Sequence, residues 1–470
     1  MQWWIPAFAE VAQTWIVNFF KLTFIEFNQY MKEKIKWIIF NKRGIMKMNK
    51  YLIIFTVLIL GFQSYVLAQK TEITLSIGPR GFGESTAILI DGFMKENPDI
   101  KVNWLKISDV PNESRKVYVT NFTAESPTPD VISVDVIWPG DFAARGWIAP
   151  LNDYFSMSEI NEYNPSFAKA ATVDGKLYGI PLYIDGIHLF YRDDLLKKYG
   201  FDPPKTWEGL IMQSQTILKG ENNPDLVGFV NMWAKIEGLF MNWLAFHYGA
   251  GGQFFDEKTG KIAVNTPAGV KAMQTMVDFI YKYKISNESI LTFRPNDARV
   301  LFQQERAVFL MVQDFVISPL SADDSLVKDK YKITRNPYFA GHPEGHSTTI
   351  GGFLMSINSH SNHKEAAAKL IKYFTSYSAQ IQSAKLSKKA PTRLAAYGDP
   401  SLKGSVLEIL GANYAVGVVR PSAETGAKYN RVSQIMQAEI TQALHRKKTP
   451  AQAMADAEEQ IKRHLPKHRR

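Results

Sequence analysis

Cysteine is absent from all 470 residues of the chain. Its absence excludes disulfide staples, thiolate metal sites, a cysteine nucleophile and a lipid-modified N-terminal cysteine. No stripe of basic residues interleaved with aromatics is present, which argues against a nucleic-acid partner. The formal charge is +10, but residues 1–68 alone hold 8 Lys/Arg against 3 Asp/Glu, half of that excess. The basic run at the other end (Lys462, Arg463, Lys467, Arg469, Arg470) reads as a solvated tail. Internal repeats and low-complexity linkers are missing. The glycine-rich loop GPRGFG at 78–83 lacks the G-x-G-x-x-G spacing of a dinucleotide fingerprint. His188, His247, His342 and His346 read as scattered surface residues. The last two are four apart, but in a Gly/Pro loop rather than on a helix face, so no metal site is expected. No nucleophile–base pair stands out, and nothing calls for a cofactor.

What is present is a globular composition, 46% hydrophobic and 21% charged, in a chain too long for one core, so two or more domains are expected. Residues 46–68, MKMNKYLIIFTVLILGFQSYVLA, start positively (Lys47, Lys50) and continue with an apolar core at 51–62 that is short for a bilayer span. Val66-Leu67-Ala68 then precedes a cut. This is the pattern of a secretory signal peptide, and it implies a soluble protein exported to the periplasm or the extracellular space. Residues 1–45 stand before it and are expected to be an over-extended gene start, with Met46 or Met48 the true start. The rival reading is a membrane-associated leader.

The mature chain opens with alternating Ile73, Leu75 and Ile77, a strand. A helix is predicted over 85–96, a strand over 100–107, a helix over 113–124 and a buried strand from Val131. The order β-α-β-α-β predicts a parallel, doubly wound α/β sheet. Glu84 and Asp135 each follow a strand, and in such a sheet they share the edge where ligands bind. Asp135 and Trp138 read in two ways: as a ligand shelf, or as a helix cap with an indole packed beneath it. Asp174-Gly175-Lys176 reads as a hairpin turn. Residues 180–191 form a long extended run in which Tyr183 and Asp185 share one face, as suits a crossing between domains or a strand with one wet face. A single apolar-rich helix is predicted over 231–246, with Trp233 and Glu237 near its mouth. A buried strand at 307–312 and a strand at 354–357 follow. Ser361 is expected to cap a helix, and Thr449-Pro450-Ala451-Gln452 to form a capping box that opens the last helix.

Four segments in order carry a family resemblance: DVISVDVIWPGDFAARGWIAPLND (130–153), GKLYGIPLYIDGIHLFYRDDLLKKYG (175–200), GGFLMSINSHSNHKEAAAKLIKYFTS (351–376) and RPSAETGAKYNRVSQIMQAEITQAL (420–444). Through them the chain resembles the extracellular solute-binding proteins of ABC importers, the sugar-binding kind, and among these the trehalose/maltose-binding proteins. The resemblance implies a two-lobed periplasmic-binding-protein fold (type II), with a ligand cleft between lobes that are joined by hinge crossings near Ile180, Ile350 and Ala390. The implied lobes are 69–181 plus 345–391 and 182–344 plus 392–470. The implied function is capture of a sugar by a monomer, delivery to membrane permease subunits by hinge closure, and no catalysis.

Positions that match the family's ligand contacts are Glu84, Asp135, Tyr183, Asp185, Gly352 and Arg420, and Glu237 lies in an EGL segment that also matches. Carboxylates and guanidinium suit sugar hydroxyls. Trp138, Tyr183, Trp233 and Phe353 are candidates to stack on sugar C–H faces. Phe353 stands where the family has Trp, and Gln313 stands near the place of another cleft Trp. Two other classes compete with this reading. One is an exported glycoside hydrolase using two of Glu84, Asp135 and Asp185. The other is a binding protein for a polyol or a phosphorylated solute, for which Arg80 and Arg420 are the available cations.

Overall fold

The computed structural model describes residues 70–79, 82–83, 85–108, 111–345 and 348–465. The readings of 1–45 and 46–68, and those of Arg80, Glu84 and His346, lie outside these residues. Eleven strands are described: β1 (Thr71–Ile77), β2 (Ile100–Lys106), β3 (Val131–Asp135), β4 (Thr172–Val173), β5 (Lys176–Leu177), β6 (Ile180–Arg192), β7 (Val227–Asn231), β8 (Ala307–Gln313), β9 (Tyr331–Thr334), β10 (Thr349–Ile357) and β11 (Val418–Val419). β4 and β5 form a hairpin whose two turn residues, Asp174 and Gly175, both have positive φ, the geometry that a two-residue hairpin loop needs. The other strands form one sheet in the order β2-β1-β3-β10-β6-β8-β7, with β9 on β6 and β11 on β10.

The predicted parallel winding holds where it was read. β1 pairs in parallel with β2 and β3, and the helices Ser85–Glu96 and Pro111–Thr123 make the connections. Ile73, Leu75 and Ile77 are buried as their alternation requires, and Leu89, Ile90 and Phe93 form the inward face of the first helix. The sheet as a whole is mixed, because β10 arrives late in the chain and runs antiparallel to both β3 and β6.

β6 joins the two halves of the sheet. Ile180 to Gly186 pair with β10, whereas Ile187 to Arg192 pair with β8 and β9. The Ile184 amide donates to the Ala390 carbonyl at 3.2 Å, and Thr349 and Ile350 of β10 pair with β11. Three separate stretches of backbone therefore meet at the middle of β6. They are the stretches predicted to be crossings, and the architecture is two lobes of α/β structure on either side of them.

Four local expectations are corrected. Residues 231–246 are not one helix: β7 runs to Asn231, and the helix begins only at Glu237 and continues to Gly249. The Asn231 side chain explains the break, since Oδ1 accepts from the Met232 amide at 2.7 Å and Nδ2 donates to Asn242. β10 starts at Thr349 rather than at Leu354, because the glycines there pair with β6. Ser361 is two residues before the N-cap His363; its hydroxyl accepts from the His363 amide at 3.0 Å and donates to buried Asp130 at 2.6 Å. His188 and His247 are fully buried rather than on the surface, while His342 is half-buried beside Glu344.

Gly352 has φ +131°, and a Cβ there would lie 2.4 Å from the Tyr183 carbonyl oxygen and 2.8 Å from Phe167. Its own carbonyl accepts from the Val136 amide at 3.0 Å, which ties the end of β3 to the crossing. Gly352→Ala is expected to cost at least about 2 kcal/mol in urea denaturation, from strain added to a backbone clash. Gly175→Ala, with positive φ but nothing within 4 Å of the new methyl, is expected to cost only about 1 kcal/mol. Equal losses for the two would show that the crossing tolerates a side chain.

Candidate functional site

The sheet register builds the site. Asp135, the last residue of β3, stands opposite Phe353 of β10, and Phe353 stands opposite Tyr183 of β6. One row across three strands thus carries a carboxylate and two aromatic rings. The Tyr183 and Phe353 rings lie 5.4 Å apart and tilted, and Phe82 stacks on Tyr183 at 6.2 Å. The ammonium of Lys389 sits 5.0 Å from the Tyr183 ring centre.

Arg420, just past β11, is buried and brings the charges together. Its Nη2 donates to Asp135 Oδ1 at 2.8 Å and its Nη1 to Glu237 Oε1 at 3.1 Å. Asp185, half-buried on β6, is within its field, and a Cβ on Gly351 would fall 2.5 Å from Asp185 Oδ1 and 3.5 Å from Arg420 Nη2. Gly351 therefore leaves space where the carboxylate and the guanidinium approach each other. Glu237 opens the helix Glu237–Gly249, where the exposed amide dipoles favour a negative charge. It also accepts from the hydroxyls of Tyr429 and Ser433. Asp135 Oδ1 accepts a second bond from the Ile137 amide at 3.2 Å and so does not cap the next helix, whose N-cap is Trp138.

The electrostatics follow from burying several carboxylates around few cations. Burial pushes Asp135 up to about 6; Arg420 opposes this, and Glu237 and Asp185 reinforce it. Asp185 is also raised, by burial against the pull of Lys389 and Arg420. Burial works against the charge of Arg420, but Asp135, Tyr429, Glu237 and Asp185 hold it above its ordinary value, so it stays charged. Its Nε has no hydrogen-bond partner among the described residues. The site thus offers fixed donors and acceptors, guanidinium N–H groups beyond the two that bind Asp135 and Glu237, and an aromatic wall, the set that a polyhydroxylated solute needs.

The structure brings together Asp135, Tyr183, Asp185, Glu237, Gly352, Phe353 and Arg420. It does not do so for the two tryptophans. Trp138 is 1% exposed and packs edge-on against Tyr118 and beside Phe142 in the core behind β3. Of its two readings, the packed indole is the one observed. Trp233 is also 1% exposed and packs against Phe229 and Phe279. Both are corrected to core residues, because each ring is surrounded by aromatics of its own half of the sheet. Gln313 ends β8 on the other side of β6; its Nε2 contacts Met241 Sδ at 3.9 Å and its Oε1 has no partner among the described residues. Lys389, Phe82, Tyr429 and Ser433 were not singled out in the sequence. Tyr429 and Ser433 both fall inside the fourth family segment, four residues apart, which was the available signal.

A sheet shared between two halves, with charged and aromatic groups gathered where the backbone crosses, defines a two-lobed solute-binding protein. The comparisons agree. The family model "Bacterial extracellular solute-binding protein" matches residues 81–381, and the chain belongs to that family. A probable ABC transporter-binding protein of Deinococcus radiodurans is 30% identical over 370 residues, 77% of this chain and 86% of that one. The structure of maltose-bound T. maritima MalE3 superposes with a TM-score of 0.75 at 35% identity, covering 84% of this chain and all of that one. A Thermotoga lettingae solute-binding protein bound to alpha-D-tagatose shares the fold, with a TM-score of 0.74 at 24% identity and 84% of this chain covered.

Removing Arg420 leaves buried Asp135 and half-buried Glu237 without their shared cation. Arg420→Met is expected to destabilise the protein by about 3–5 kcal/mol at neutral pH. The deficit should shrink as pH falls. The folded-state value of Asp135 is already raised from 3.8 to about 6, so its favourable contribution is full below 3.8 and is lost as pH rises through about 6. Without Arg420 that loss starts from the same unfolded-state value but runs on to higher pH and is larger. Urea denaturation of parent and variant at pH 5 and pH 8 checks this; a deficit independent of pH would mean that Asp135 is not the group left behind.

Proposed function

We propose that the chain is the extracytoplasmic binding component of a carbohydrate ABC importer. It takes a sugar, an oligosaccharide of the maltose or trehalose kind, between lobes 69–181 plus 345–391 and 182–344 plus 392–470, and presents it to the membrane permease when the lobes close. It acts as an exported monomer and catalyses no reaction. The observation that carries this reading is the Asp135–Arg420–Glu237 cluster beside the Tyr183–Phe353 wall at the lobe crossing. Carboxylates accept from sugar hydroxyls, the guanidinium donates to them, and the rings cover the apolar C–H face. The relatives support it: T. maritima MalE3 is maltose-bound in its structure, and a Pyrococcus abyssi relative, 22% identical over 300 residues, is a maltotriose-binding protein.

A hydrolase would need two carboxyl groups facing each other across a bond, one an acid and one a nucleophile or base. Here Asp135 and Glu237 share the two ends of one guanidinium, which is an arrangement for holding. A phosphorylated solute would need cations free of carboxylates, whereas Arg420 already carries two.

Calorimetry against a panel of mono- and disaccharides tests the reading, and heat from none of them would sink it. Asp185→Ala is expected to weaken the best sugar by about 1.5–3 kcal/mol, roughly 10- to 150-fold in Kd, with little change in unfolding. Asp135→Ala should weaken it as much and also destabilise the fold, because it unpairs one end of Arg420.

A further inference from the structure

A second buried polar cluster lies against the first and has no part in the site described so far. Asp314 directly follows β8 and is 6% exposed. Gln313 stands opposite Ile187 of β6, which brings Asp314 level with the Asp185–Gly186 stretch. Gly186 makes the room: a Cβ there would lie 2.9 Å from Cε1 of Tyr414. The Tyr414 hydroxyl donates to Asp314 Oδ2. Behind it, His188 Nε2 lies 3.3 Å from the Tyr414 oxygen, and the Asn413 amide nitrogen lies 2.7 Å from His188 Nδ1.

The direction of this chain is informative. Burial pushes His188 down to about 3, so its ring is neutral and carries one N–H. With Asn413 donating to Nδ1, that proton is on Nε2, and every donor points towards Asp314, as suits a carboxylate. If Asp314 takes up a proton, the chain can reverse. Asp314 then donates to Tyr414, Tyr414 to Nε2, and Nδ1–H to Asn413 once the amide turns over. Asn413 Oδ1 has no partner among the described residues in the first arrangement, so the turn breaks no bond to them at that oxygen. The same contacts serve both protonation states.

Four titratable groups face Asp314, and of these Asp185 favours the proton. They are Asp185 from β6, Lys389 from the segment after the helix Tyr377–Ser387, Tyr397 from the turn Leu394–Gly398, and Tyr414 from the helix Val406–Tyr414. Lys389 is the cation among them, and Asp185 draws on it too. Burial first, and then Asp185, push Asp314 up to about 7 against Lys389 and the Tyr414 hydrogen bond. A solute closing over this place removes water from two carboxyl groups that share one ammonium, which further disfavours two negative charges.

Resting on the sugar-binding reading, we propose that Asp314 is a further solute-positioning residue: with Asp185 it presents one shared proton to the sugar, donor and acceptor together, and capture of the sugar is coupled to proton uptake. Maltose and trehalose are titrated by calorimetry from about pH 5.5 to about pH 8.5, in two buffers of different ionisation heat. Kd is expected to rise towards about tenfold per pH unit above about 7, with up to one proton taken up per sugar bound. Asp314→Asn, which cannot release a proton, should raise Kd several-fold at low pH and abolish the slope. Tyr414→Phe removes the donor that favours the anion and should move the fall in affinity to higher pH; it also serves where the Asn variant does not fold. A parent whose affinity is independent of pH, or a slope that persists in Asp314→Asn, overturns the proposal; the latter would assign the slope to Asp135. If neither sugar binds at any pH, the sugar reading fails by itself. The Asp314 ¹³Cγ shift in the solute-free protein then still decides the proton: titration near neutrality supports the shared proton, and an ordinary carboxylate value overturns it.

Discussion

The guanidinium of Arg420 holds carboxylates from both halves of the sheet in one buried place. Asp135 comes from the end of β3, Glu237 from the start of a helix after β7, and Asp185 from the strand that belongs to both halves. Buried charges of this kind stabilise little in net terms, since their attraction is set against the loss of water. What they do is specify geometry. A one-residue slip of β3 or β6 would turn an acid away from the cation and leave a charge unpaired, so the register of the crossing is enforced by electrostatics as well as by packing.

The glycines have the complementary part. Gly351, Gly352 and Gly186 stand where backbone, carboxylate or ring comes closer than a side chain allows. Small residues let three chain crossings lie side by side, and the same closeness brings the acids within reach of Arg420. The residues proposed to recognise a solute are thus the ones that sit on the elements about which lobes would move. On that proposal binding and closure share one set of contacts, which gives a physical route from the capture of a solute to a change of shape.

Much of this was legible along the chain, for identifiable reasons. Strands β1 to β3 and their helices follow from alternation and helical spacing, which are local. Tyr183 and Asp185 were placed on one face by the two-residue period of a strand, and the stretches at 180, 350 and 390 do meet. The misses have a common cause. Trp138 and Trp233 look like platforms because each stands next to an acid or a turn, but whether an indole faces a cleft or a core depends on the aromatics brought behind it, here Tyr118 and Phe142 in one case and Phe229 and Phe279 in the other. His188 and His247 look like surface residues because histidine often is one; burial came from neighbours far along the chain. The helix read over 231–246 failed because one buried asparagine, through its side-chain bonds, ends the strand and delays the helix.

The residue order thus determines the elements, the crossings and the family, because periodicity and turn chemistry act over a few residues. The pairing of Asp135 with Arg420, 285 residues apart, is a matter of tertiary structure, as is the Asn413–His188–Tyr414–Asp314 chain. Charge and burial act through space: a carboxyl group's partners, and therefore its proton, are settled only when the sheet has brought distant segments to one point.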